Sequence, residues 1–376
     1  MDASSSVLAV ACASPDDERA VLAGEAGSEK LDLQVAGRVA GTLHYRARGE
    51  EPHPELLRTL AAILALELER ARGPERASEA AVRDFLEDLV SRRLTDRENI
   101  VARGNELGAD LAAGGSVIVA RAVPHAPEEG DWPARVLAVA ERGARAVERT
   151  CLIGGLVLRP GGEAIDVESH DRAGEVVVLV PGPDGELARR AIGGVRRELE
   201  ASLPAFTLAL GRSRVASDPA DLCRAAAEAL LAANVAQGED APALNFEETG
   251  AYRLLLSSMT DNPAELRSFH EETVAPLLAY DEQYETELVK TLETFLDEDG
   301  NVAQTAQRLF THRHTIRYRL ERVKELTELD VSSTDGRERL GLGLKAMRVL
   351  GIVPPHGPAL EAGAETGRVS RTKQDR

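Results

Sequence analysis

The segment from Gly114 to Val235 changes its hydrophobic period in a fixed order, and this order restricts the fold more than any other feature. Short β-branched runs alternate with longer stretches of helical spacing: "SVIVARAV", "WPARVLAVAERGARAVERT", "CLIGGLVL", "EVVVLVPG", "GELARRAIGGVRRELE", "AFTLALG" and "DPADLCRAAAEALLAANV". The sequence therefore predicts the ferredoxin-like order β-α-β-β-α-β followed by a helix, with helices on one face of an antiparallel sheet. We assign residues 111–240 to this domain.

Length and composition indicate a chain of several domains. With 376 residues, of which 43% are hydrophobic and 29% charged, the chain is long enough for two or three cores. No apolar run approaches the roughly 20 residues that span a bilayer, and the N-terminus lacks the pattern of a secretory signal. Cys12, Cys151 and Cys223 form no C-x-x-C pair, so neither disulfides nor a thiolate zinc site are indicated. We expect an α+β multidomain protein in the cytoplasm, without a membrane segment.

The first 110 residues predict a small α/β domain, residues 1–74, and connecting helices, residues 75–110. Strand-like runs at Val7–Cys12, Leu31–Val35 and Gly41–Tyr45 predict a sheet with a hairpin. We expect the next helix to end at Gly73-Pro74 and to pack on this sheet. Its apolar residues at helical spacing are Leu56, Leu57, Leu60, Ile63, Leu64 and Leu68. The later stripe of Val82, Phe85, Leu86, Leu89 and Val90 suits either packing within the chain or a dimer seam.

The remaining ordered sequence predicts helices, in a domain at residues 241–352, followed by a disordered tail at residues 353–376 that has few large apolar residues. Within this domain, residues 285–326 predict three short helices. Gly300 is expected to end the first, Asn301 to cap the second with Gln304 as its capping-box partner, and Thr311 to cap the third. The apolar positions that should pack together are Leu288, Leu292, Phe295, Ile316, Leu320 and Val323.

The third helix carries unusual positive charge for a chain whose formal net charge is −18. Between Thr311 and Lys324, four arginines and one lysine stand against Glu321, a local net of +4. Two helices joined by a short turn, the second with a basic exposed face, is the helix-turn-helix arrangement that inserts into the major groove of DNA. The candidate DNA-binding residues are Thr311, Arg313, His314, Thr315, Arg317, Tyr318 and Arg322. The alternative is a solvated helix whose arginines pair with nearby glutamates.

The stretch "LVKTLETFLDEDGNVAQTAQRLFTHRHTIRYRLERVKELTELDV" resembles the C-terminal helix-turn-helix of PucR/CdaR-type bacterial transcriptional regulators, and "FHEETVAPLLAYDEQYETELVKTL" resembles the helices before it. The resemblance covers roughly residues 261–350. It implies a transcription factor that binds double-stranded DNA. The family usually has Asn at the position of His314, and Asn reads adenine whereas His does not, so the base preference there is open.

The resemblance extends to the other domains. The β-α-β-β-α-β domain resembles the degenerate GGDEF-like domain of these regulators, and residues 1–74 resemble the C-terminal half of a GAF sensor. A cyclase of the GGDEF fold needs acidic metal ligands on the first strand and in the hairpin. Here the first strand, "SVIVARAVPH", has no carboxylate, and the hairpin, "HDRAGEVVVLV", offers Glu175 in place of the signature. The sequence therefore predicts no catalysis.

The sequence indicates neither a cofactor nor a metal ion. The glycine pairs in "AGGS" and "RPGGEA" fit neither G-x-G-x-x-G nor a P-loop. His312 and His314, if both helical, would point about 200° apart and could not share a metal.

We therefore expect a sequence-specific DNA-binding regulator that forms a homodimer and is modulated by a small-molecule effector. Two alternatives stay open at this stage. The first is a nucleotide-binding sensor or cyclase-like enzyme that uses the middle domain. The second is a protein-interaction scaffold that has lost DNA binding, which the −18 net charge and His314 would fit.

Overall fold

The computed structural model describes residues 28–35, 38–47, 53–126, 128, 130–158, 164–165 and 174–354, and the single residues 10, 12, 14, 16, 17, 19 and 21. The chain divides into two compact units, Met1–Asp261 and Asn262–Arg376. Most of the expected strand Val7–Cys12, residues 36–37 of the expected hairpin turn, and residues 355–376 of the expected tail lie outside the described residues.

The strands lie in the first unit. They are β1 (Glu29–Val35), β2 (Arg38–Tyr45), β3 (Gly115–Pro124), β4 (Leu152–Gly155), β5 (Val157–Leu158), β6 (Ala164–Ile165), β7 (Glu175–Pro181), β8 (Phe206–Arg212) and β9 (Ala243–Asn245). β1 and β2 pair antiparallel, which confirms the predicted hairpin. β5 and β6 form a second small pair, and the other five strands form one sheet in the order β4-β7-β3-β8-β9. Its first four strands are antiparallel neighbours, and β9 joins β8 in parallel.

From Pro54 onward, the first unit contains the α-helices α1 (Pro54–Val90), α2 (Arg97–Glu106), α3 (Trp132–Arg145), α4 (Gly185–Ser202), α5 (Leu222–Gly238) and α6 (Leu256–Asp261). α3 and α4 cover one face of the sheet, on which alternate residues of β3 such as Ile118 and Ala120 are buried. The predicted single layer of helices is wrong, because α5 packs on β3 and β8 from the other side. Gly211 permits this contact, since a Cβ there would lie 2.1 Å from the Ala229 carbonyl oxygen.

A buried ion pair joins the two central strands on the face that α5 covers. The Arg121 Nη2 lies 2.6 Å from Glu175 Oε2, and both side chains are almost completely buried. Arg121 also donates to Asn234 and Gln237 on α5, while Glu175 Oε1 accepts the Leu158 N–H. These hydrogen bonds satisfy both charged groups, as a buried ion pair requires.

Helix α1 differs from its sequence-based description in two ways. It runs from Pro54 to Val90 without the expected stop at Gly73-Pro74. Its contact with the hairpin uses Ala61 and Ala65, packed against Leu33. The large apolar side chains Leu56, Leu60, Ile63 and Leu64, expected in that contact, are exposed instead.

The C-terminal part of α1 bears out the packing alternative. Val82, Phe85, Leu86, Leu89 and Val90 are all buried within the unit. This part of the helix lies against β4 and α5.

The second unit contains helices only, among its described residues. They are α7 (Pro263–Thr273), α8 (Ala275–Tyr284), α9 (Leu288–Asp297), α10 (Val302–Arg308), α11 (Arg313–Thr327) and α12 (Thr334–Val349). One core joins α8 to α12, with Val274, Leu277 and Leu292 among the side chains without solvent exposure. α7 packs against α12. None of the helices in the described part of the chain is long and apolar enough to cross a membrane.

The Arg121–Glu175 pair yields a stability prediction. Replacing Glu175 with Gln leaves the Arg121 charge buried without its partner, so we expect the free energy of unfolding to fall by about 3 kcal/mol. Trp132, the one tryptophan of the chain, packs against Phe206 in this domain, so its fluorescence in urea reports the transition. The matched control is Glu200→Gln at an exposed pair with Arg196, which should cost under about 0.5 kcal/mol. Equal losses in the two variants would contradict the prediction.

Candidate nucleic-acid interface

Helices α9, α10 and α11 form a compact trio. α9 ends at a turn in which Gly300 has φ +81° and donates its N–H to the Phe295 carbonyl, as predicted. Asn301 caps α10 through Oδ1, which accepts the N–H groups of Ala303 and Gln304 at 3.0 and 3.2 Å. Only this half of the expected capping box forms, because the Asn301 N–H donates to the Glu298 carbonyl instead of to the Gln304 side chain.

The turn between α10 and α11 spans residues 309–312. Thr311 does not cap α11 as expected, and its backbone N–H donates to the Ala306 carbonyl at 2.9 Å. The cap is His312, whose Nδ1 accepts the His314 N–H at 3.2 Å. The helix therefore starts one residue later than the Thr-cap prediction requires.

The same cap changes the relation of the two histidines. Their rings stack with centroids 5.1 Å apart and planes at 21°. The expectation that His312 and His314 point away from each other is wrong, because it assumed helical geometry at both positions and His312 lies outside the helix. No group of three or more potential ligands able to hold a metal ion occurs in the part of the chain that the structure describes.

One face of α11 fixes the helix to its neighbours. Ile316, Leu320 and Val323 are buried in the core with α9 and α10, as their spacing predicts. A polar contact supports this packing at the edge, where Arg319 Nη1 lies 3.0 Å from Thr291 Oγ1 and 3.3 Å from Glu287 Oε2, both in or beside α9. Apolar packing therefore fixes the position of α11, and the ion pair of Arg319 with Glu287 supports it.

Some of the cations of α11 are paired with carboxylates of the same domain. Arg319 is paired with Glu287, and Lys324 lies 2.9 Å from Asp330. Arg322 lies 2.6 Å from Glu325, and its guanidinium stacks over the Tyr280 ring at 5.4 Å. Hydrogen bonding to Tyr318 and the charge of Glu325 raise the pKa of Arg322.

In the N-terminal half of α11, the cationic side chains are exposed to solvent. Arg313 and Arg317 are exposed, and neither forms an ion pair with a described residue. His314 and Tyr318 are exposed beside them, with 63% of Tyr318 accessible. Thr311 and Thr315 are half-buried at the start of the helix. The seven candidate residues therefore lie on one helix and its preceding turn, but Arg322 is engaged within the domain.

The middle domain offers little for metal-dependent catalysis. Glu175, at the position of the GGDEF signature, is buried in the ion pair with Arg121. A cleft of about 280 Å³ lies between α4, β8 and α5 and is lined partly by Phe206, Leu208 and Gln237. Its volume is at the lower limit of typical small-molecule sites.

The fold and this geometry define a helix-turn-helix protein with an α+β middle domain. Residues 288–346 match the PucR C-terminal helix-turn-helix domain, and residues 91–235 match the GGDEF-like domain. Both domain matches confirm the resemblance inferred from the sequence. The resemblance of residues 1–74 to a GAF sensor stays a prediction.

Three regulators of Bacillus subtilis (strain 168) are similar to this chain. The proline-responsive transcriptional activator PutR is 32% identical over 123 residues, which cover 33% of this chain and 29% of PutR. The DNA-binding transcriptional activator AdeR is 27% identical over 101 residues, 27% of this chain and 24% of AdeR. The purine catabolism regulatory protein is 33% identical over 86 residues, 23% of this chain and 16% of that regulator. This chain thus matches less than a third of the length of each relative.

The ion pair that holds α11 on α9 predicts a pH dependence. Partial burial raises the pKa of Glu287, but hydrogen bonds and charge from Lys290 and Arg319 outweigh it and lower the pKa below its ordinary value. The unfolded chain then binds the proton more readily, so this contribution to stability is present above about pH 4.5 and is lost as the pH falls further. We expect Glu287→Gln to be less stable than the unmodified chain at pH 7, with a difference that shrinks on acidification.

Amide hydrogen exchange in α9 and α11 at several pH values measures this difference. The control is Glu338→Gln, at an exposed position on α12, which should leave the pH profile unchanged. A Glu287→Gln difference that stays constant with pH would contradict the assignment.

Proposed function

We propose that this chain is a sequence-specific DNA-binding transcriptional regulator in which the N-terminal half of α11 enters the major groove. The observation that carries the proposal is the separation of charges on α11, where Arg319, Arg322 and Lys324 are paired but Arg313 and Arg317 are exposed and unpaired among the described residues. In a helix-turn-helix, the N-terminal residues of the second helix reach the base edges. The printed names of PutR and AdeR support the same class of function.

The candidate residues take different roles in this proposal. Arg317 and Arg313 contact guanine edges or phosphates, because the guanidinium fork binds either in a bidentate manner. Thr311, Thr315 and Tyr318 offer hydroxyl groups to phosphates or bases. His314 lies beside Arg313 on the exposed surface, where it contributes to base preference. Arg322 contacts DNA only at the periphery, because its guanidinium stacks over Tyr280 and is paired with Glu325.

We also propose that the regulator acts as a homodimer. A single module buries little DNA surface, and paired half-sites supply the missing affinity. The exposed apolar residues of α1 suit the contact, because Leu56, Leu60 and Ile63 recur at i, i+4 and i+7, the seam spacing of a coiled coil. Ala61 and Ala65 occupy the opposite side of the helix against the hairpin, so the seam is not used within the described chain.

The proposal also covers regulation by an effector, cellular location and the question of enzymatic activity. A small-molecule effector acting through the first unit would fit a regulator of this architecture, and the cleft beside Gln237 is one place to look for it. Action on DNA would place the protein in the cytoplasm. We propose no enzymatic activity, since the Glu175 carboxylate that could serve a cyclase is bound to Arg121. Formation of a cyclic dinucleotide from GTP and magnesium would overturn this part.

Arg317→Ala tests the DNA contact. We expect specific binding to weaken by about 1–3 kcal/mol if Arg317 reads a base. The measurement is fluorescence anisotropy of the full chain with DNA from the promoter region of its own gene and with a scrambled duplex, at two salt concentrations. The matched control, Arg339→Ala, changes an exposed arginine on α12 and should bind like the unmodified chain. If the Arg317 variant binds DNA as tightly as the unmodified chain, Arg317 does not contact DNA.

A double substitution of Leu60→Glu and Ile63→Glu tests the dimer. Charges placed across the seam should convert the dimer to a monomer, because they cannot be buried without partners. Light scattering coupled to gel filtration measures the mass. Leu254→Glu, at a side chain that is 82% exposed outside α1, serves as the control and should stay dimeric. A mass that does not change with the double substitution would exclude α1 as the contact.

A further inference from the structure

Phe310 stands out in the turn between α10 and α11. Its side chain is 98% exposed, the highest value among the large hydrophobic side chains that the structure describes. Its backbone has φ +49°, in the left-handed region that bulky residues rarely adopt. Its N–H donates to the Gln307 carbonyl at 3.2 Å, which closes the end of α10. The phenyl ring therefore contributes no packing to the domain, although its backbone is part of the turn.

Folding alone does not explain an aromatic residue at this position. A left-handed residue is least strained as Gly or Asn, and the preceding turn of the same unit uses Gly300 at φ +81°. An exposed phenyl ring gains nothing from burial in the free protein. The left-handed backbone itself ends a helix here, as it does at Glu285 after α8 and at Glu328 after α11. What the fold leaves unexplained is the exposed phenyl ring.

The position of Phe310 in the chain links it to the proposed interface. It comes two residues before the cap His312 and three before Arg313, so its Cα lies within about 11 Å of the Arg313 Cα. When the N-terminal half of α11 enters the groove, this turn is carried to the edge of the same groove. A phenyl ring has no hydrogen-bonding group, and the apolar group that the major groove presents is the 5-methyl of thymine.

We propose that Phe310 contacts a thymine 5-methyl group in each half-site and so reads thymine at that position. The inference rests on the proposed function and extends it, because the arginines read or anchor polar groups whereas Phe310 recognises an apolar one. Burial of the ring against DNA also accounts for its complete exposure in the free protein.

The test uses the full chain and a duplex enriched by it from a random-sequence pool. Each thymine of the duplex is replaced in turn by uracil, which removes the methyl group and keeps the base pair. The unmodified chain should lose about fourfold in affinity at one position of each half-site, the loss expected for one buried methyl group. Phe310→Asn, which is compatible with the left-handed backbone, should bind the thymine duplex less tightly and show no further loss at that position.

Two controls separate this contact from other effects. Leu342→Gln changes another exposed apolar side chain of the second unit, on α12, and should respond to uracil like the unmodified chain. Phe310→Asn should unfold at the same or a higher urea concentration than the unmodified chain, since Asn tolerates the turn better.

The outcomes distinguish the inference from the function on which it rests. If the unmodified chain enriches a duplex but Phe310→Asn binds it equally well, the inference fails, the proposed function stands, and the ring is left for a protein partner. If the variant binds every duplex more weakly but still responds to uracil, the thymine contact is equally excluded. If the unmodified chain enriches no duplex, the proposed function fails and the inference with it.

Discussion

The docking of α11 on α9 and α10 is the constraint on which the proposed function depends. Ile316, Leu320 and Val323 occupy the buried side of the helix, and Arg319 is tied to Glu287 beside α9. Because one side of α11 is buried against its neighbours, the residues on its exposed side have a fixed orientation. Arg313 and Arg317, which form no ion pair with any residue that the structure describes, then lie in the first two turns. A groove-binding helix needs this polarity, since its N-terminal residues make the base contacts.

A second ion pair, in the middle domain, occupies the carboxylate at the position of the GGDEF signature. Arg121 on β3 and Glu175 on β7 stand opposite each other in register, and α5 closes over them. The carboxylate at the signature position therefore stabilises the sheet instead of facing solvent. The domain matches the GGDEF-like family while its charged groups are arranged for structure.

Helix α1 shows that apolar periodicity can predict a helix and its neighbour correctly and still assign the wrong residues to the contact. The leucine spacing predicted a helix packed on the hairpin, and the helix and the contact both exist. The sheet, however, meets Ala61 and Ala65, whose small side chains allow close approach, and leaves the leucines outside. A sequence pattern marks which residues avoid water but does not say whether the same chain or another molecule covers them.

The sequence by itself determined the β-α-β-β-α-β order of the middle domain, the register of the helix-turn-helix and the families that these two domains match. Element order and register depend on local periodicity and on capping residues such as Gly300 and Asn301. The tertiary structure decided features that depend on residues far apart in the chain. It placed α5 on the second sheet face, joined Arg121 to Glu175 across 54 positions, and paired Arg319 with Glu287. It also made His312 the cap and turned its ring onto His314. Charge counting on α11 gave +4, but only the folded helices show which charges are already neutralised, since ion pairing depends on distance in space.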